Sequence, residues 1–202
     1  MNLKPILFLI LSSILLSACS SPIVNDVRFD NVTFDPIQRK TIVSAIDSTT
    51  QFKIKELTQA IKGLGPNIDK TEASFIAREA VLFSMHLANE YKLVSPPNSQ
   101  NVLVNTGKRE KGLCYHFARD MTDQIVKDRT FNTLTLQRAV SFQGKQFEHN
   151  VLTVAAKGKG IKDAIILDAW RDSAKLYWVK TGDDPLYPWS KYTRRTYTLN
   201  PQ

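Results

Sequence analysis

The apolar residues of this 202-residue chain change period once, and that change constrains the fold more than any other feature. Up to about Lys127 they recur at the three-to-four spacing of amphipathic helices. From Thr133 onward they recur at a spacing of two. Helices first and strands after is an α+β layout, with N-terminal helices packed on a C-terminal antiparallel β-meander. Hydrophobic residues make up 43% of the chain, enough for one domain with a real core.

Asp35-Pro36 has the form of a helix start, Asp as N-cap and Pro at the first position. Ile37, Ile42, Ala45 and Ile46, then Phe52, Ile54, Leu57 and Ile61, predict helix to about Lys62, with an interruption at Asp47-Ser48-Thr49-Thr50. A second helix, capped by Asp69 or Thr71, carries the stripe Phe75, Ile76, Ala80, Phe83, Leu87, Tyr91 and stops at Pro96-Pro97. Residues 94–111 read as a long polar connection. A further helix runs from Cys114 to about Lys127. Strands are expected at Thr133–Phe142, Phe147–Ala156, Ala164–Trp170 and Lys175–Lys180. The nearly all-apolar third is expected to be central. An aromatic tail with Tyr187, Trp189, Tyr192 and Tyr197 follows, to cover the sheet or to bind peptide or glycan.

The start of the chain speaks to compartment. Lys4 is followed by the apolar run Ile6–Leu16, of signal-peptide length and too short to span a bilayer. Leu16-Ser17-Ala18-Cys19 resembles the bacterial lipobox, which implies residues 1–18 as a lipoprotein signal peptide and Cys19 as the lipidated first residue. A plain secretory signal with Cys at its cleavage site is the other reading. Ser20 after Cys19 implies, by the same resemblance, sorting to the outer membrane. Residues 19–34 are then a tether, with a weak extended pattern at Val27, Phe29, Val32 and Phe34 able to pack on the domain, and 35–202 the domain. The formal net charge of +8 suits a basic surface beside an anionic membrane or cell wall. No long block of like charge and no Gly-rich phosphate loop points to nucleic acid or nucleotide.

With Cys19 taken by lipid, Cys114 is the one thiol left. In Gly112-Leu113-Cys114-Tyr115-His116-Phe117-Ala118 it follows a Gly break and opens a helix whose buried side carries Ala118, Met121 and Ile125. Unpaired backbone N–H groups and the positive end of the helix dipole favour an anionic sulfur there. The bland alternative is a small buried hydrophobe. Of the three histidines, His86 lies within a helix and reads as structural. His116, two residues beyond the thiol, points away from it. His149 opens a strand. A two-residue turn at Gly158-Lys159 would place it directly opposite Asp168, close enough for the carboxylate to hold the imidazole. A register shift of one would put the two on opposite faces.

A Cys opening a helix, a His 35 residues later and an Asp 19 later on adjacent strands resembles the papain-like superfamily, most closely its transglutaminase-like branch. The resemblance spans about Gly112 to Trp170. It implies Cys114 as nucleophile, His149 as base and Asp168 as orienting acid, in acyl transfer that calls for no cofactor or metal. Asn150-Val151-Leu152 follow the His where many members carry an aromatic residue. The Asp before the Cys and the Gly-Asp-rich turn before the His, typical of cell-wall endopeptidases, are missing. The Cys114 N–H is one oxyanion donor, and Asn101 or Asn105 is the candidate for the second. Lys108, Arg109 and Lys111 are either a solvated loop or charge that favours the thiolate and draws an acidic substrate. The expected substrate is a peptide or protein, peptidoglycan among them, with hydrolysis or amine transfer as the outcome. The rival is a non-catalytic envelope lipoprotein that binds a protein or cell-wall partner.

Overall fold

A computed structural model of the chain describes residues 24–193. The lipobox residues, Cys19 and Ser20 among them, and the tail residues Arg194, Arg195 and Tyr197 lie outside that range. The described residues form an α+β fold with antiparallel pairing throughout.

The elements in chain order are β1 (Asn25–Asp26), β2 (Val32–Asp35), β3 (Lys40–Val43), α1 (Ser48–Lys62), α2 (Lys70–Glu90), β4 (Val94–Ser95), α3 (Pro97–Asn105), α4 (Cys114–Val126), β5 (Leu134–Ser141), β6 (His149–Ala156), β7 (Ile165–Asp168), β8 (Tyr177–Lys180) and β9 (Ser190–Lys191). Helix α2 is the hub, buried along most of its length and packed on α1, α4, β2 and β3. Asp69 caps it, its side chain accepting the Glu72 N–H. Glu72 in turn accepts from Thr133 N and Thr133 Oγ1, which pins the start of β5 to the first turn of α2.

The main sheet has the order β8-β7-β6-β5-β9. Helix α4 lies across β5, β6 and β7. Phe117, Met121 and Ile125 of α4 meet Leu152 and Val154 of β6 and Ile165 and Leu167 of β7, with Leu57, Ile61, Ile76 and Leu82 behind them. Alternation puts Val151, Ile166 and Ala139 on the other face, in a smaller cluster covered by Tyr177, Val179 and Trp189.

Five expectations need correction. The central strand is β6, buried over nearly its whole length, with β7 next to it. Residues 36–46 form no helix: β2 and β3 make a hairpin, Val32 pairing with Val43 and Asp35 with Lys40. Asp35 Oδ1 accepts from Ile37 N and Gln38 N, so the cap chemistry expected of it closes a turn instead, and Ile37 is 93% exposed. Residues 94–111 are not one loop, since α3 begins at Pro97. That proline sits where its missing N–H costs nothing. The boundary between tether and domain lies before residue 35: the extended segment with Val27, Phe29, Val32 and Phe34 packs on the core, and β1 pairs with β4. Finally, β6 and β7 are not joined by a tight two-residue turn, because a 3₁₀ turn at Ile161–Asp163 lengthens the connection.

Glu79 ties the N-terminal hairpin to the hub. It is 2% exposed, accepts from Thr41 Oγ1 and Gln124 Nε2, and pairs with Arg78. Glu79→Ala leaves two buried donors without their acceptor and is expected to cost about 2–4 kcal/mol in urea unfolding, with Glu79→Gln costing less.

Candidate active site

Cys114 is the first residue of α4, with Leu113 as N-cap in extended geometry. Its position is set by what precedes it. Gly112 has φ +126°, and a Cβ there would sit 2.5 Å from the Gln100 side chain. Gln100, fully buried in α3, donates to Tyr91 O and Lys111 O and accepts from Val94 N. Only glycine provides both the left-handed backbone and the space. Past the thiol, His116 turns back on the helix end: its Nδ1 accepts from Gly112 N at 3.3 Å and Leu113 N at 3.2 Å. Burial, then the charge of Arg119, lowers its pKa, which keeps the lone pair available. His116 is bound to the backbone before the thiol through Nδ1. Its capping role went unread, although it stands at the third helical position, where side chains reach back to cap.

The Cys114 thiol is a partly exposed free cysteine at the end of β6, with Sγ 3.8 Å from Glu148 O. His149, the next residue, is buried, and its Nε2 lies 2.7 Å from Asp168 Oδ2. The route to that contact differs from the expected one. Leu152 pairs with Leu167 and Thr153 with Ile166, so His149 and Asp168 are diagonal neighbours rather than directly opposed. The offset from the expected register is two residues. An even offset preserves the face, so the pair survives.

Asp168 is fully buried and satisfied. Oδ1 accepts from Trp170 N at 3.0 Å and Arg171 N at 3.1 Å; Oδ2 accepts from His149 and from Arg171 Nε at 3.0 Å. Burial would raise its pKa, but the charge and hydrogen bond of His149, then Arg171, hold it below the usual carboxylate range. Burial likewise works against the His149 imidazolium. The Asp168 charge and hydrogen bond, joined by those of Cys114, outweigh it and raise the pKa to about 9. With Nε2 held by Asp168, the ring nitrogen left for the sulfur is Nδ1.

Three aromatic rings enclose the imidazole: Tyr187 at 4.6 Å, Trp170 at 5.0 Å and Trp189 at 5.6 Å between centroids. The tail therefore covers the sheet, as one of its two readings held, and does so at His149. Trp170 Nε1 donates to Asn101 Oδ1 at 3.0 Å, which brings α3 to the same group. Asn105 lies exposed in the last turn of α3. Lys111 is turned to Glu90 and Asp120, 3.0 Å from each, and Arg109 to Lys92 O. His86 packs on Phe34 and pairs with Glu90, a structural place.

A cavity of about 580 Å³ beside Arg28, Asn89 and Lys92 contains none of the three expected catalytic residues. Among the described residues no cluster of His, Cys, Asp or Glu could hold a metal ion, and no helix is long and apolar enough to cross a membrane. No protein-family model, curated protein or solved structure matches the chain.

Gly112→Ala forces an L-residue into the left-handed region against Gln100. It is expected to lower stability by about 2–4 kcal/mol in urea titration and to slow Cys114 alkylation. The His149 shift also fixes a pH dependence. A pKa raised from 6.5 to about 9 on folding gives stability that is complete below 6.5 and lost as pH rises through 9. The stability difference between wild type and His149→Gln should therefore narrow across that interval.

Proposed function

We propose that this chain carries a thiol hydrolase domain of papain-like, transglutaminase-like type, which cleaves an amide bond through Cys114, His149 and Asp168. The observation that carries this reading is a partly exposed sulfur at a helix start, 3.8 Å from the carbonyl oxygen of the residue before His149, with a buried carboxylate 2.7 Å behind the His149 ring. A core cysteine would need neither partner.

Cys114 attacks the carbonyl carbon of a peptide or isopeptide as its proton passes to His149 Nδ1. The amide C–N bond breaks as the imidazolium gives that proton to the leaving amine, and an acyl thioester remains. Water, activated by the neutral imidazole, hydrolyses the thioester; a second amine in place of water gives transfer. Asp168 holds the ring in one tautomer and stabilises its cation. His116 N is taken by Leu113 O, so the N–H groups of Cys114 and Tyr115 at the start of α4 are the natural donors to the oxyanion. Asn101, tied to His149 through Trp170, is the side-chain candidate that the geometry supports better than Asn105.

The lipobox-like start supports an envelope enzyme held to the outer membrane by lipid on Cys19, with peptides of the cell wall as accessible substrates. Binding of an envelope partner without catalysis is the competing function, and reactivity separates the two. Cys114 should react with iodoacetamide near pH 7 faster than a model thiol, and His149→Ala should slow it by about 10–100-fold. Equal, slow reaction of both proteins would sink the enzyme reading and favour the binding module.

A further inference from the structure

The group that orients the imidazole is itself held by a second ion pair. Arg171 Nε donates to Asp168 Oδ2, while Nη1 and Nη2 donate to the two oxygens of Asp184 at 3.1 and 2.7 Å. The guanidinium carbon lies 4.3 Å from the Tyr177 ring centre and 4.9 Å from that of Tyr187. Asp184 also accepts from Trp189 Nε1 at 2.9 Å and Leu186 N at 3.0 Å. One carboxylate thus secures both the guanidinium and the segment whose rings cover His149. From the imidazolium outward the charges alternate: His149, Asp168, Arg171, Asp184.

We propose that Arg171 and Asp184 are positioning residues that set the proton affinity of His149 without touching substrate. The proposal rests on Asp168 being the orienting acid. Arg171 and His149 share one oxygen, so the guanidinium competes with the imidazolium for the Asp168 charge. Asp184 neutralises the guanidinium and restores that charge to the imidazole. The two residues therefore act with opposite sign. Three other titratable groups adjoin His149. Cys114 approaches from α4. The Glu148 carboxylate accepts from Gly144 N and Asn150 Nδ2. Tyr187 lies over the ring, its own hydroxyl held neutral by burial and by the Asp168 charge.

Titration of the His149 ring by NMR, on full-length chain with labelled imidazole and His149→Gln for assignment, tests this. Asp184→Asn should move the midpoint down by about one pH unit, and Arg171→Met should move it up by a similar amount. Arg171→Lys, which restores the charge, should return it toward wild type. A scaffold role alone would lower stability in both variants and leave the midpoints together. Midpoints that move in the same direction, or in neither variant, overturn the proposal. If Arg171→Met does not fold, the near-isosteric Asp184→Asn decides by itself, through the presence or absence of a downward shift. Iodoacetamide kinetics on the same samples keep the two ideas apart. Opposite shifts with an unreactive Cys114 would uphold the positioning and sink the enzyme. A reactive Cys114 with unmoved midpoints would do the reverse.

Discussion

The hydrogen bond between His149 and Asp168 is the contact on which the rest of the site depends, and it exists only because two strands meet in a register of the right parity. Side chains alternate across a sheet, so any odd offset between β6 and β7 would send imidazole and carboxylate to opposite faces. The observed pairing of Leu152 with Leu167 keeps them together as diagonal neighbours, within reach of one another. A buried ion pair is tolerated only when its remaining lone pairs are satisfied. Asp168 meets that condition with two backbone N–H groups and a guanidinium in addition to the ring. The apolar alternation of β7 places Ile165 and Leu167 against the helices, and the same alternation leaves Asp168 on the far side beside its donors.

The thiol reaches this pair by a separate route. Helix α4 packs Phe117, Met121 and Ile125 on the face of the sheet opposite to His149, and its N-terminus reaches the end of β6. Packing alone fixes the axis of a helix better than it fixes the first turn. That turn is held by polar groups: Gln100 closes over Gly112 from α3, and His116 accepts the N–H groups before Cys114. Two histidines close in sequence to the chemistry therefore do opposite work. His116 accepts those N–H groups while burial, then Arg119, lowers its pKa; burial also works against a charge on His149, but the Asp168 carboxylate outweighs it.

Much of this was legible in order and spacing. The α4 helix and four strands of the main sheet follow from a period and a few breaks. The misreadings share a cause. Asp35-Pro36 and Pro96-Pro97 are local signals with two structural uses each: Asp before Pro can cap a helix or close a turn, and Pro can end a helix or begin one. Burial decides between them, and burial is not local. Ile37, Ile42 and Ile46 have helical spacing, but no neighbour covers Ile37. The Arg171–Asp184 pair carried no signal at all, because a charged residue in a turn looks solvated until the chain folds back on it.

The amino-acid sequence by itself determined the change from helix to strand and the place of Cys114 at a helix start, since each depends only on periodicity or on nearest neighbours along the chain. The tertiary structure decided the register of β6 on β7, the conversion of residues 36–46 into a hairpin, the capture of Gly112 by Gln100, and the chain of charges from His149 to Asp184. Those outcomes depend on which distant surfaces exclude water from one another, and that exclusion is a property of the packed chain rather than of any stretch of it.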